Sequence, residues 1–452
     1  MRRTPGATAP WRYSRAPGDG PPYDRDVPAN PITPAPPVTP EIRPLPREDS
    51  SALLDIDQWA FIDEEAERDP TPALDALEWD RTFGAWLTQP ERLAGVYAAY
   101  SLDLTVPGGS VPCAGLTWVG VHPQDRRRGV LTAMMRHHLR SVVDRGTEPV
   151  GALWAAETAI YGRFGYGLAS RNLWLTVPRG AELRDVPGTD RLRVRMERVN
   201  PDVHADLIRS CYAASLPLRP GNVSRRRAEV TRAVLDDQLA THRGVEGMRV
   251  LLVEDLDTGR IRGYALFRRK AHWGDGGGPD GTVTVHESVV LDAAAARVLW
   301  GRLSDLDLMA KTVTDQQPPD CELLHLLVDP RGAAPSLTDN LWVRLLDVPA
   351  ALSARRYAHP VDVTFAVRDP YLPENEGSWR LTGGPDGASC VRTKQDPDLT
   401  LDVRELGAAY LGGETLSALA AAGLVEVNRP AALVPAATAF MSPTAPNCRW
   451  MF

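Results

Sequence analysis

The spacing of apolar positions changes character several times between residues 110 and 170. Residues 116–121, LTWVGV, form a β-branched and aromatic run that predicts a strand. His122-Pro123-Gln124-Asp125 interrupts it, because proline lacks an N–H and biases the preceding residue away from helix. Val130, Leu131, Ala133, Met134 and Leu139 then fall on one stripe at helical spacing, and residues 150–154, VGALW, predict a further strand. Upstream, residues 53–89 carry a helical pattern with acidic breaks at 63–65 and Asp69-Pro70, and residues 92–104 predict two strands. Downstream, a strand over 191–195 precedes a helical stretch marked by Ile208, Cys211 and Tyr212. Residues 248–254 and 261–268 predict a hairpin joined by Asp-Leu-Asp-Thr-Gly, followed by a strand over 283–290 and a helix over 293–308. In the last part, strands over 361–367 and 377–381 precede helices over 403–410 and 415–421.

Residues 1–50 have no such pattern. They hold 13 of the 40 prolines and few aliphatic residues, so they predict a disordered tail that buries too little apolar surface to offset its ordering entropy. The remaining pattern, in a chain of 452 residues that is 43% hydrophobic and 24% charged, suits about three globular domains. The net charge of −7 gives no general attraction to nucleic acid or to anionic lipid. No run approaches the ~20 apolar residues of a membrane-spanning helix. No apolar core follows Arg2-Arg3, so that pair does not start an export signal. Five scattered cysteines without CxxC spacing point away from a disulfide framework or zinc site, to a reducing compartment. The pair His137-His138 has no HExxH or Cys/His cluster around it, and is expected on a solvated helix surface.

Candidate chemistry sits where the strand over 116–121 feeds a basic, glycine-containing turn that opens a helix. Free N–H groups of a first helical turn, at the positive end of the helix dipole, make an anion site. Neither the GxxxxGK(S/T) loop nor the GxGxxG fingerprint is present. Residues 126–131, RRRGVL, instead resemble the Gln/Arg-x-x-Gly-x-Gly/Ala turn of the GNAT superfamily of N-acetyltransferases, with Leu131 departing from its last position. Residues 159–167, AIYGRFGYG, resemble a hallmark of the Eis (enhanced intracellular survival) branch of that superfamily. Residues 98–109 and 341–357 are similar to the same branch, and the resemblance spans about residues 53–452.

The resemblance implies a mixed α/β, α+β architecture. It comprises a catalytic GNAT fold over 51–189, a second GNAT-like fold without a cofactor site over 190–338, and a sterol-carrier-protein-like α+β domain over 339–452. It further implies acetyl-coenzyme A as co-substrate, no metal, and a primary amine of a cationic small molecule (an aminoglycoside or polyamine) or of lysine as acceptor. A cytoplasmic homo-hexamer without nucleic-acid or membrane partners is the expected assembly. By the same resemblance Arg126, Arg127, Gly129 and Val130 hold the pyrophosphate, Val119 and Val121 lie along the pantetheine, and N–H groups near Trp118 and Val119 polarise the thioester oxygen.

Tyr161 matches the tyrosine that protonates the coenzyme A sulfur in Eis proteins. A phenol of ordinary pKa, about 10, is protonated at neutral pH and suited to that task. Tyr166 is expected to pack. The terminal carboxylate, on Phe452, matches the Eis base, and the apolar sequence before it suits a docked rather than frayed end. Ala156 stands where Eis proteins commonly carry serine, which predicts one hydrogen bond fewer. Trp118, Trp79, Asp63 and Glu64 are candidates for the acceptor pocket. The competing classes are a non-catalytic acyl-coenzyme A or lipid sensor on the same scaffold, and an interaction protein recruited through its proline-rich tail.

Overall fold

The computed structural model describes residues 36, 38–61, 69–236 and 245–452. Strands β1 (Glu41–Pro44), β2 (Thr82–Thr88), β3 (Glu91–Val106), β4 (Gly109–Val121), β5 (Val150–Trp154) and β6 (Gly167–Leu168) build the first sheet. Helices α1 (Ser50–Phe61), α2 (Thr71–Ala76), α3 (Val130–Arg145) and α4 (Thr158–Tyr161) accompany it. This sheet has seven strands, because Leu341–Leu345 inserts between β5 and β6 and pairs antiparallel with both. The second sheet also has seven strands, running from Ser336–Asp339 through Arg171–Pro178 to Leu192–Arg198. A third, five-stranded sheet lies within residues 361–427.

Strands from the expected segments are shared between neighbouring sheets. Residues 41–44, assigned to the tail, form β1 and pair with β2, while residues 1–35 and 37 lie outside the described residues. Residues 171–178, placed in the first domain, belong to the second sheet, and residues 341–345, placed in the third, complete the first. The chain therefore crosses between sheets twice, and the two crossings are tied together. Ser170 Oγ lies 2.6 Å from Asn340 Oδ1, Asn340 N–H donates to Ser170 O (3.1 Å), and Leu341 N–H donates to Ser170 Oγ (3.1 Å). Spacing along a sequence marks strands but not which sheet receives them.

Two element expectations also change. Residues 82–88 are strand, not helix: β2 lies between β1 and β3, with Phe83, Ala85 and Leu87 facing one core and Trp86 packing on another from the opposite face, so both faces are covered and no simple alternation marks it. Residues 91–106 form one strand rather than two. The histidine pair is not solvated. His138 is 1% exposed, and burial, reinforced by the charges of Arg81, His137 and Arg344, lowers its pKa to about 3. His137 is half-buried, with Nδ1 2.6 Å from the Tyr97 hydroxyl.

Helix α3 packs Val130, Met134, Met135, Leu139 and Val142 into the core shared with Leu116, Leu153 and Phe164. All five cysteines are buried and free. Among the described residues no helix is long and apolar enough to cross a membrane, and no three His, Cys, Asp or Glu groups gather as a metal-ligand set.

Candidate active site

The parallel pairing of β4 with β5 runs from Cys113↔Val150 to Leu116↔Leu153 and stops. Strand β4 continues to Val121, held from its other side by β3, so among the described residues 117–121 has no ladder partner on the β5 side. At the same place the β3 register shifts: Thr117 faces Ala98 and Gly120 faces Val96. Two residues, Trp118 and Val119, thus oppose one, and the strand bends away as a β-bulge. Trp118 sits at φ 53°, a left-handed conformation uncommon for a residue with a side chain. Backbone strain of this kind concentrates where a site needs polar groups in an otherwise unavailable direction.

The turn after β4 is held from beneath. Asp125 is fully buried and takes a two-pronged contact from Arg92 and one from Arg128 Nη1 (2.7 Å). Burial works to raise its carboxyl, but the hydrogen bonds and charges of Arg92 and Arg128 outweigh it and hold the pKa below the usual range. Arg128 is thereby a structural residue, also joined to the incoming chain by Nε to Pro36 O (3.2 Å) and by Val38 N–H to its own carbonyl (2.9 Å). Arg126 and Arg127 remain exposed, Arg126 reaching the Ala60 carbonyl (3.3 Å). Gly129, at φ 97°, caps α3 without a side-chain hydrogen bond, and no acidic residue occupies the first turn. The first N–H groups of α3 beside two exposed guanidinium groups fit an anion such as a diphosphate.

Tyr161, at the end of α4, is 8% exposed and stands edge-on to Tyr166, with ring centroids 6.3 Å apart. Its hydroxyl has no hydrogen-bond partner among the described residues. Burial, aided by the nearby Glu157 charge, raises its pKa to about 12, so it stays protonated across the neutral range. Tyr166 is fully buried, with its hydroxyl 3.5 Å from His138 Nε2 and a Cβ on Gly151 only 3.1 Å away, as a packing residue requires.

The chain end returns to the same sheet. Asn340, at the crossing point, accepts from Cys448 N–H (2.8 Å) and donates to Cys448 O (3.0 Å), so its amide acts as a strand partner. Asn447 N–H donates to Pro220 O (2.9 Å), and Trp154 Nε1 donates to Trp450 O (3.0 Å). The ring of Phe452 comes 3.0 Å from where a Cβ on Gly115 of β4 would stand, three residues before the bulge.

A search against family models matches an acetyltransferase (GNAT) domain at residues 41–169 and again at 221–345, and a sterol carrier protein domain at 348–449. An N-acetyltransferase of Streptomyces avermitilis is 45% identical over 82% of this chain and 88% of its own length. The N-acetyltransferase Eis of Mycobacterium tuberculosis is 35% identical over 73% of this chain and 78% of its own. This chain belongs to the Eis family of N-acetyltransferases. The crystal structure of Eis1 from Mycobacterium abscessus superposes with a TM-score of 0.76, at 31% identity, over 92% of this chain and all of that one. The tandem GNAT folds and the sterol-carrier-like domain of the Eis architecture are both present.

Of the residues singled out from the Eis resemblance, Trp118, Val119, Val121, Arg126, Arg127, Gly129 and Val130 line one continuous path, from the bulge to the first turn of α3. Val119 and Val121 are half-buried against the core beneath α3. Trp79 is not brought to this path: its Nε1 donates to Leu74 O (3.1 Å) and its ring packs on the core. Asp63 and Glu64 lie outside the described residues. The structure adds a group that spacing did not suggest. Arg225 and Glu287, both from the second fold, form a buried ion pair beside Trp450.

Proposed function

We propose that this Eis-family enzyme transfers the acetyl group of acetyl-coenzyme A to a primary amine of a cationic small molecule, of the aminoglycoside or polyamine kind, or to a lysine. The observation that carries the reading is the coincidence of three features on one sheet. These are the splayed end of β4 with its left-handed Trp118, the start of α3 beside Arg126 and Arg127 with no side-chain cap, and a buried tyrosine whose hydroxyl has no hydrogen-bond partner among the described residues. When bound, acetyl-coenzyme A supplies a thioester whose acyl carbon accepts the amine.

Arg126, Arg127 and the N–H groups from Gly129 and Val130 onward hold the diphosphate, and Val119 and Val121 present backbone groups to the pantetheine amides. N–H groups at Trp118 and Val119, unpaired on the β5 side, stabilise the thioester oxygen as it gains charge. Tyr161, whose pKa is pushed up to about 12 by burial and the Glu157 charge, is protonated at neutral pH and gives its proton to the departing sulfur. The carboxylate of Phe452, with an ordinary pKa near ~3.5, is ionised at neutral pH and takes the proton from the attacking amine, directly or through water. The net charge of −7 suits a cationic acceptor, and a homo-hexamer with six three-domain protomers is the assembly we expect.

The test is coenzyme A release from acetyl-coenzyme A over polyamines, aminoglycosides and lysine peptides, with the native chain beside one extended past Phe452. Turnover by the native chain that is lost on extension supports the enzyme and its terminal base together. Turnover in both removes Phe452 from the mechanism. Tight acetyl-coenzyme A binding without turnover against any amine would sink the catalytic reading.

A further inference from the structure

The second GNAT-like fold carries a buried charge cluster that the acetyl-transfer scheme does not use. Arg225 is 6% exposed and Glu287 5%. Nη1 of the arginine donates to Oε1 of the glutamate (3.2 Å), Nη2 contacts Oε2, and the Tyr264 hydroxyl donates to Oε1 (2.5 Å). A buried pair of this kind is weak grounds for a stabilising role, because desolvation of the two charges offsets most of their attraction, and apolar side chains of the same volume often serve as well. What the pair does provide is a guanidinium held in one place. Its plane is pinned on one side by Tyr212, whose ring centroid is 3.9 Å from Cζ, and Trp450 stands 5.4 Å away.

The backbone that carries Arg225 is fastened to the first sheet. Gly221 N–H donates to Thr105 O (2.8 Å), Thr105 N–H to Asn222 O (2.8 Å), and Ser224 N–H to Asp103 O (2.9 Å), so residues 221–224 pair alongside β3. Trp450 in turn touches Tyr100 of β3 (ring centroids 5.7 Å) and Phe452 (5.5 Å). A guanidinium over an indole face is attractive, and more so when both are out of water.

We propose that Arg225, oriented by Glu287 and Tyr264, is a positioning residue for acetyl transfer: it clamps Trp450 and so sets where the terminal carboxylate of Phe452 stands. On this reading the second fold, though it lacks a cofactor turn, contributes to the reaction of the first. The inference rests on the terminal carboxylate acting as base, and the experiment is chosen so that the two can fail separately.

The charges are removed without orphaning either partner in Arg225→Met/Glu287→Met/Tyr264→Phe. Its kcat, its KM for acetyl-coenzyme A and the rate at which carboxypeptidase A removes Phe452 are compared with the native chain and with the chain extended past Phe452. Expected is an unchanged KM for acetyl-coenzyme A, a kcat about ten- to a hundredfold lower, the size of loss that a misplaced reacting group produces, and faster trimming of the end. Unchanged kcat and trimming overturn the clamp. If the triple variant does not fold, Trp450→Phe and Trp450→Leu replace it: the aromatic variant retains turnover and the aliphatic one loses it, whereas equal turnover overturns the clamp. If the extended chain stays active, the terminal base is refuted and the trimming rates alone decide whether Arg225 seats the chain end.

Discussion

Removing one oxygen from Tyr161 separates its chemistry from its packing. The ring is 8% exposed and contacts Tyr166 edge-on, and a phenylalanine keeps both features. The hydroxyl has no hydrogen-bond partner among the described residues, so Tyr161→Phe orphans nothing, and folding stability should change by less than about 0.5 kcal/mol. The catalytic loss is larger. A positioned general acid contributes roughly a hundredfold or more, and each decade corresponds to about 1.4 kcal/mol of barrier, so kcat should fall by about 2.7 kcal/mol equivalent. The KM for acetyl-coenzyme A should stay within about threefold, because the anion turn is untouched. With the pKa raised to about 12 by burial and by Glu157, the native enzyme should show no loss of activity from this group below about pH 11. The sign for stability agrees: below pH 10 the phenol is neutral in folded and unfolded chains alike. Above pH 10 the unfolded chain ionises first, and stability falls until the folded value is reached. Initial rates of coenzyme A release at saturating amine, beside a thermal melt, measure both. A variant that keeps more than a third of kcat, or one that loses activity together with many degrees of melting temperature, would refute the acid role.

Gly129→Ala meets space, with Val38 O 3.6 Å from the added carbon, but at φ 97° it incurs about 1 kcal/mol of backbone strain; the KM for acetyl-coenzyme A should rise several-fold with little change in kcat. Asp125→Asn leaves Arg92 and Arg128 without their shared counter-charge and should cost about 3 kcal/mol in a denaturant titration at pH 7. Because the folded carboxyl is held below its ordinary value, the native advantage over this variant should be full above about pH 4 and shrink as the pH falls further. Gly221→Ala places a methyl 2.9 Å from Asn447 N at φ 94°, against backbone that cannot rotate away. It should displace the terminal segment, costing about 1–3 kcal/mol by thermal melt and lowering kcat while acetyl-coenzyme A binding by calorimetry is kept.

The strand, proline break, basic turn and helix of the first fold were legible because they are local: they follow one another within thirty residues, each with its own spacing signal. The order of the third sheet's first strands and helices was legible for the same reason. The strand exchange was not, since residues 171–178 and 341–345 have the composition of strands for any sheet, and the contacts at Ser170 and Asn340 where they cross join residues 170 positions apart. Arg225 was invisible for a different reason. It sits in a run of three arginines, 225–227, which reads as solvated surface, and its meaning depends on Glu287, 62 residues on, and on Trp450 at the other end of the chain. His138 shows the same limit in reverse, because a histidine at a core-facing helical position is indistinguishable by spacing from its solvated neighbour until the sheet beneath it is known.

The matched domain segments, 41–169, 221–345 and 348–449, therefore do not coincide with the sheets, and the mismatch has a mechanical reason. Strand β5, which must end where β4 departs for the splay to exist, is backed along its whole length by Leu341–Leu345, supplied by the last residues of the second matched segment. Asn340, the residue just before that strand, spends its side chain on Cys448, so the segment that closes the splay on one side also aligns the returning chain end. On the other side the loop carrying Arg225 is fastened to β3, the strand that creates the bulge. The chain end is thus gripped between two devices that are each attached to a different neighbour of β4. The proposed terminal base requires a chain end that has lost the freedom of an ordinary terminus, and contacts from Pro220, Arg225 and Asn340 to residues 447–450 restrict it.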